Sequence, residues 1–274
     1  MDNEKKVFKL HIGDEELKKE QRTVKSVFQD AGKQILASLL ILVIGFFVLN
    51  WSAYYKIGKT KLYSLVGIER ESPLAEFVDT DTLVRKREVM ATSTDPEIQK
   101  RQIPKLDLEI SPVDNRIIIP RINQNIPIIS VTSESLIKRD WVGLERDMQR
   151  ALRDGVIYYP GTSNPGQTGN TVITGHSSYF PWDPGRFKDV FALLHEVVVG
   201  DRIVVYHNQD KYIYEVFEVK VVLPEDIEIL KQTPEEQLTL ITCTPVGTNL
   251  KRLILKARPI AKNGLELNGG RILR

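Results

Sequence analysis

Between Lys33 and Lys56 the chain carries no charged side chain. The run in between, Gln34 to Tyr55, is 22 residues long, and its centre from Ile35 to Leu49 is almost wholly aliphatic or aromatic. No polar face recurs in it at helical spacing, so it does not read as the core helix of a soluble domain, which keeps one side wet. As a helix it would extend about 33 Å, enough to cross a hydrocarbon layer of about 30 Å. Trp51, Tyr54 and Tyr55 lie at its end, where aromatic side chains favour a lipid–water boundary. A cleaved signal peptide fits poorly: 33 residues precede the run and no small-x-small cleavage site follows it. We therefore expect a single transmembrane signal-anchor over residues 34–55. Lys18, Lys19, Arg22, Lys25 and Lys33 before it, against Lys56, Lys59 and Lys61 after it, favour a cytoplasmic N-terminus and an extracellular C-terminal domain.

The anchor divides the chain. Residues 1–33 are rich in mixed charge and read as a cytoplasmic tail. Residues 56–108 contain Ser72-Pro73 and the polar run Ala91 to Pro96 without a strong period, and read as an extracellular stalk. A structureless stretch of that length does not belong inside a compact domain. From about residue 109 short β-type runs begin, with Ile117-Ile118-Ile119 and Ile126-Pro127-Ile128-Ile129 first. Ser133 to Arg153 has apolar positions at helical spacing and ends before Gly155, which predicts one helix; Phe187 to Leu194 reads as a second, short one. Strands are expected over residues 171–174, 202–206, 212–222, 238–242 and 250–257. The result is a mainly β catalytic-sized domain, residues 109–262, with a short tail over 263–274. Its frequent turn signals point to a sandwich or barrel.

Lys and Arg exceed Asp and Glu by 38 − 36 = 2, without the concentrated basic excess of a nucleic-acid-binding domain. Cys243 is the only cysteine, which excludes an intrachain disulfide, a Cys-based zinc site and an iron–sulfur cluster. A lone thiol is commonly a small buried hydrophobe. Its setting here changes that reading. Cys243 ends the strand Thr239-Leu240-Ile241-Thr242-Cys243, and Arg252 opens the next, Leu253-Ile254-Leu255, after a loop holding Pro245 and Gly247. If the two strands are neighbours, Cys243 and Arg252 face each other. His176 ends an earlier strand, after Gly175. A thiolate attacks carbonyls, and a nearby cation favours it. A histidine can hand a proton to the departing amine. An arginine stays protonated, so it can bind, orient or stabilise an oxyanion but cannot act as a base. The cysteine would hold the acyl group as a thioester until a second nucleophile takes it. His195 and His207 match no such pattern and read as structural or exposed.

Thr239-Leu240-Ile241-Thr242-Cys243, with Arg252 nine residues on, resembles the sortase signature Thr-Leu-x-Thr-Cys, loop, Arg. Asn170-Thr171-Val172-Ile173-Thr174-Gly175-His176 resembles the strand that delivers the family's histidine, and Ile118-Ile119-Pro120-Arg121-Ile122 resembles its opening strands. The likeness runs in order over roughly residues 110–260. It implies an eight-stranded sortase-type β-barrel with one or two short helices. It also implies a cysteine transpeptidase that cleaves a C-terminal Leu-Pro-x-Thr-Gly-like sorting signal of secreted proteins. The acyl group would pass to an amine of a cell-wall precursor or a pilin lysine. Carried over, Cys243 is the nucleophile, His176 the general acid/base and Arg252 the substrate- or transition-state-binding residue. Thr242 helps position the substrate or the oxyanion. The Thr244-Pro245-x-Gly247 loop is similar to class D-like and pilin-type members; an Asp-Pro-aromatic lid motif is not found, since Asp95-Pro96-Glu97 lacks the aromatic. Some sortases bind calcium near an acidic loop. Glu225, Asp226 and Glu228 read instead as a solvated loop, because a hard-cation site needs several converging oxygens, and no cofactor is expected. The other readings are a peptidase-only cysteine hydrolase and a catalytically silent, membrane-tethered peptide-binding β-domain. Phe180 to Gly185, after the histidine, reads either as a mobile loop at the site's edge or as an ordinary Pro/Gly surface loop.

Overall fold

A computed structural model describes residues 24–67, 72–78, 111–268 and 271–272. Its contacts separate two units, Met1–Gly45 and Phe46–Arg274. The first unit holds most of helix α1 (Val24–Leu49). Within α1, Phe28–Leu49 is long and apolar enough to cross a membrane, and none of it is buried by protein. The apolar helix thus starts and stops earlier than the expected 34–55. Asn50 is the reason for the stop. Its backbone leaves helical geometry (φ −108°, ψ 18°) and its Nδ2 donates to the Phe46 carbonyl at 2.9 Å. A separate helix α2 (Trp51–Leu65) follows.

The second unit is built on a mixed β-barrel. Its strands are β1 (Arg116–Ile119), β2 (Gln124–Ile129), β3 (Val156–Tyr158), β4 (Gly169–Thr174), β5 (Arg202–His207), β6 (Asp210–Val222), β7 (Glu236–Thr244) and β8 (Lys251–Lys262). The order β8-β6-β5-β1-β2-β3-β4-β7 closes on itself through the β7–β8 pairing, giving eight strands in the barrel. Closure leaves none of the eight with an unpaired edge. The expected C-terminal tail adds β9 (Leu265–Asn268) and β10 (Arg271–Ile272) beside β8. Most pairs are antiparallel, but β2–β3 and β4–β7 are parallel. Alternation fills the barrel: Ile173, Leu238, Leu240, Leu253, Leu255 and Ala257 point into one buried cluster. The intervening Val172, Ile241 and Ile254 form a second cluster on the outer face, under Ile229.

The helix expected over 133–153 is two helices, α3 (Glu134–Ile137) and α4 (Trp141–Ala151). Arg139 breaks them with φ 55°, and Asp140 then caps α4 by accepting from the Gly143 N–H at 2.9 Å. The short helix expected over 187–194 is a series of turns, with one 3-10 turn at Leu194–Glu196.

Two described parts of the stretch read as a stalk pack on the barrel; most of its remainder lies outside the described residues. Leu74, Phe77 and Val78 cover Ile118, Val204, Tyr206 and Ile213. Helix α2 buries Ala53, pairs Lys56 Nζ with Asp189 Oδ1 at 2.8 Å, and donates from the Ser52 hydroxyl to Asp189 Oδ2 at 2.5 Å. The Tyr54 hydroxyl donates to the Val246 carbonyl at 3.0 Å.

Candidate active site

Two neighbouring strands, and the residues just past the end of a third, carry the residues singled out in the sequence. β7 is central, parallel to β4 on one side and antiparallel to β8 on the other. Cys243 and Arg252 are register partners across β7 and β8, so their Cα atoms stand about 4.5–5.5 Å apart. Thr174 pairs with Ile241 across β4 and β7. His176 and Cys243 each follow that last rung by two residues, His176 just past the end of β4, on paths about 4.8 Å apart that Gly175 keeps bonded to Ile241 and Thr242. The three residues therefore form one row, His176, Cys243, Arg252, at one end of the barrel wall. Cys243 has the parity of Ile241, Arg252 that of Ile254, and His176 that of Val172. All three continue the outer face that holds Val172, Ile241 and Ile254.

Thr242 has the opposite parity and is buried. Its hydroxyl donates to the Gly175 carbonyl at 2.8 Å, tying the strand of Cys243 to the residue before His176. Gly175 also donates its N–H to the Ile241 carbonyl at 3.3 Å. A Cβ at Gly175 would come within 2.8 Å of Val156 and 2.9 Å of the Phe191 ring, so only glycine fits between these core side chains. Behind the site, Thr239 Oγ1 donates to Asn170 Oδ1 at 2.7 Å and Asn170 Nδ2 donates to the Ile229 carbonyl at 2.9 Å. Both residues are buried, so satisfying these polar groups also fixes the β4–β7 register.

His176 is half-buried, and burial pulls its pKa below the usual 6.5; Asp183 and Glu145 act weakly in the other direction. Burial thus favours the neutral form of the imidazole. Tyr179 stacks on it, ring centroids 4.4 Å apart and planes 25° apart. Sequence reasoning passed over Tyr179, three residues beyond the histidine in a stretch without periodicity. Phe180 meets Tyr179 edge-on and stacks on Trp182. The loop holding them is pinned where Asp183 accepts from Arg153 Nε at 3.1 Å and from the Gly185 N–H at 2.9 Å. Those two donors hold the Asp183 carboxyl below the usual carboxylate range.

Arg252 donates through one terminal nitrogen to the carbonyls of Asn249 and Lys251, at 2.9 and 3.2 Å. Among the described residues no carboxylate forms a salt bridge with it. His195 and His207 lie apart, on Glu196 and on Tyr158 and Asn208. In the acidic loop, Asp226 accepts from the Glu228 N–H and Glu228 pairs with Lys231. A cavity of about 880 Å³ between α2 and the β1–β2 turn is lined by Lys56, Thr60, Tyr63, Arg121 and Glu196. It contains none of the row.

The Sortase domain family matches residues 117–260, more than half of this chain. The chain belongs to the sortase family. Sortases are cysteine transpeptidases, and the match spans every strand of the barrel except the first residue of β1 and the last two of β8. Sortase A of Bacillus anthracis is 22% identical over 225 residues, covering 80% of this chain and 91% of the relative. Among solved structures, sortase C1 of Streptococcus agalactiae in complex with MTSET is 32% identical. That match covers 54% of this sortase and 68% of the other chain, with a TM-score of 0.44. A lid mutant of sortase A from Corynebacterium diphtheriae is 30% identical, covering 62% and 81%, also with a TM-score of 0.44.

Proposed function

We propose that this sortase is a single-pass membrane enzyme with an extracellular catalytic domain. It would cleave a Leu-Pro-x-Thr-Gly-like sorting signal of secreted proteins and pass the acyl group to an amine of a cell-wall precursor or a pilin lysine. The Thr244-Pro245-x-Gly247 loop favours a class D-like or pilin-type member. The observation that supports the mechanism is the Cys243–Arg252 register pair across β7 and β8, with His176 following Gly175, which is bonded to Ile241 and Thr242 of β7.

Neutral His176 takes the proton of the Cys243 thiol as Sγ attacks the scissile carbonyl, so the thiolate forms beside an imidazolium. Arg252 stabilises the oxyanion of the tetrahedral intermediate through its guanidinium donors. The imidazolium gives its proton to the departing amine, the C–N bond breaks, and a thioester remains on Cys243. The incoming amine attacks the thioester, His176 takes its proton, and the thiol is restored as the new amide forms. Thr242 serves as a positioning residue, holding the strand of Cys243 against that of His176.

The test uses the full-length chain in detergent micelles, a fluorogenic sorting-signal peptide and a labelled amine. Wild type should cleave and incorporate the amine, and Cys243→Ala should do neither. Cleavage by Cys243→Ala at the wild-type rate would refute the nucleophile. Hydrolysis alone with every amine offered would reduce the enzyme to a peptidase.

A further inference from the structure

Helix α2 has two faces. One is fixed to the barrel through Ser52, Ala53 and Lys56, with Thr60 and Ser64 facing the cavity. On the opposite side Trp51, Tyr55, Gly58, Leu62 and Leu65 recur at i, i+4, i+7, i+11 and i+14. At about 100° per residue they fall in one stripe roughly 80° wide. The stripe is bare: Trp51 is 65% exposed, Tyr55 56%, Leu62 59% and Leu65 84%. Nothing lies within 4 Å of a Cβ built on Gly58. Lys59 and Lys61, both exposed, flank it on either side.

We propose that this stripe rests on the lipid surface, making α2 an in-plane amphipathic helix clamped between barrel and bilayer. The proposal rests on reading Phe28–Leu49 as a membrane span. Trp51 begins the stripe two residues after that span ends, so lipid is within reach of its first side chain. An apolar stripe led by Trp and Tyr and bordered by lysines is the pattern of a helix lying at the acyl–headgroup boundary. Lys59 and Lys61 would meet headgroup phosphates there. A second copy is a poorer occupant, because stripe-to-stripe packing would bring the lysine borders of two helices together. Beside the stripe, the Tyr54 hydroxyl of α2 donates to the carbonyl of Val246, three residues beyond Cys243. Seating α2 on lipid would therefore hold the β7–β8 loop, and the catalytic row at its base, close to the membrane surface.

The experiment uses the full-length chain in phosphatidylcholine–phosphatidylglycerol vesicles. Cys243→Ala removes the native thiol, and one nitroxide is attached after Leu62→Cys or Leu65→Cys. Ile41→Cys in α1 and Ile137→Cys in α3, 70% and 78% exposed, serve as lipid and water references. Accessibility to oxygen, which concentrates in lipid, is compared with that to a nickel chelate, which stays in water. The expected oxygen-to-nickel ratio at Leu62 and Leu65 is several-fold above that at Ile137 and close to that at Ile41. A water-like ratio at both stripe positions with a lipid-like Ile41 overturns the proposal alone. A water-like Ile41 removes the span reading and the proposal with it. Dipolar broadening at Leu62, with both reagents shut out, overturns it in favour of a second copy.

Discussion

Replacing Thr242 by valine keeps the β-branched shape and removes one hydroxyl. That hydroxyl is buried and donates to the Gly175 carbonyl at 2.8 Å. Valine cannot replace the donor, so a buried acceptor loses a partner at a cost of about 1–3 kcal/mol. For a domain of this size each kcal/mol lowers Tm by about 2–4 °C, so the fall should be roughly 2–12 °C. The same bond ties the strand of Cys243 to the residue before His176. A displacement of about 1 Å between nucleophile and base costs on the order of 10²-fold in rate, which sets the upper end of the expected loss in kcat. KM should change little, because the hydroxyl is turned into the wall and not toward the face carrying Cys243. The assay is a thermal melt of the full-length chain in detergent beside steady-state cleavage of a sorting-signal peptide. Thr242→Ser, which keeps the donor, should recover most of both losses. The reasoning is refuted if Thr242→Val melts and turns over like wild type, or if Thr242→Ser fails as badly as valine.

Arg252→Lys should lose about 10²–10³-fold in kcat, because an ammonium cannot reproduce the planar fork aimed at an oxyanion; single-turnover acylation measures it. Asp183→Asn removes a negative charge that raises the pKa of His176, so the acid limb of the kcat/KM profile should move to lower pH, and a shift upward would contradict the assignment. Burial also holds His176 and His207 below their usual 6.5 in the folded state. The stability this gives is complete above pH 6.5 and is lost as pH falls through the lower folded values, so melts in that window should show a falling Tm that His207→Gln reduces. Gly175→Ala forces a methyl group to 2.8 Å from Val156 and 2.9 Å from Phe191; overpacking should cost about 1–3 kcal/mol, read as a lower denaturation midpoint.

Local sequence determined a good deal here. A run without charge can satisfy its backbone only as a helix in an apolar setting, so α1 was legible, although its end was not. Asn50 is one polar residue in an apolar stretch, and nothing short of its bond to Phe46 marks it as a break. Most strands were legible because period-2 alternation follows from the pleat. The split between α3 and α4 was not, because it depends on a single positive φ at Arg139. Cys243 and Arg252 could be paired from the sequence, since one loop joins their strands. His176 stands 67 residues before Cys243, and the residues alone gave no distance between them. That proximity comes from the parallel β4–β7 pairing, a long-range register that no local pattern encodes. The pleat turns Thr242 inward while it turns Cys243 outward. Local chemistry chose which residues could act, and barrel closure decided which of them stand side by side.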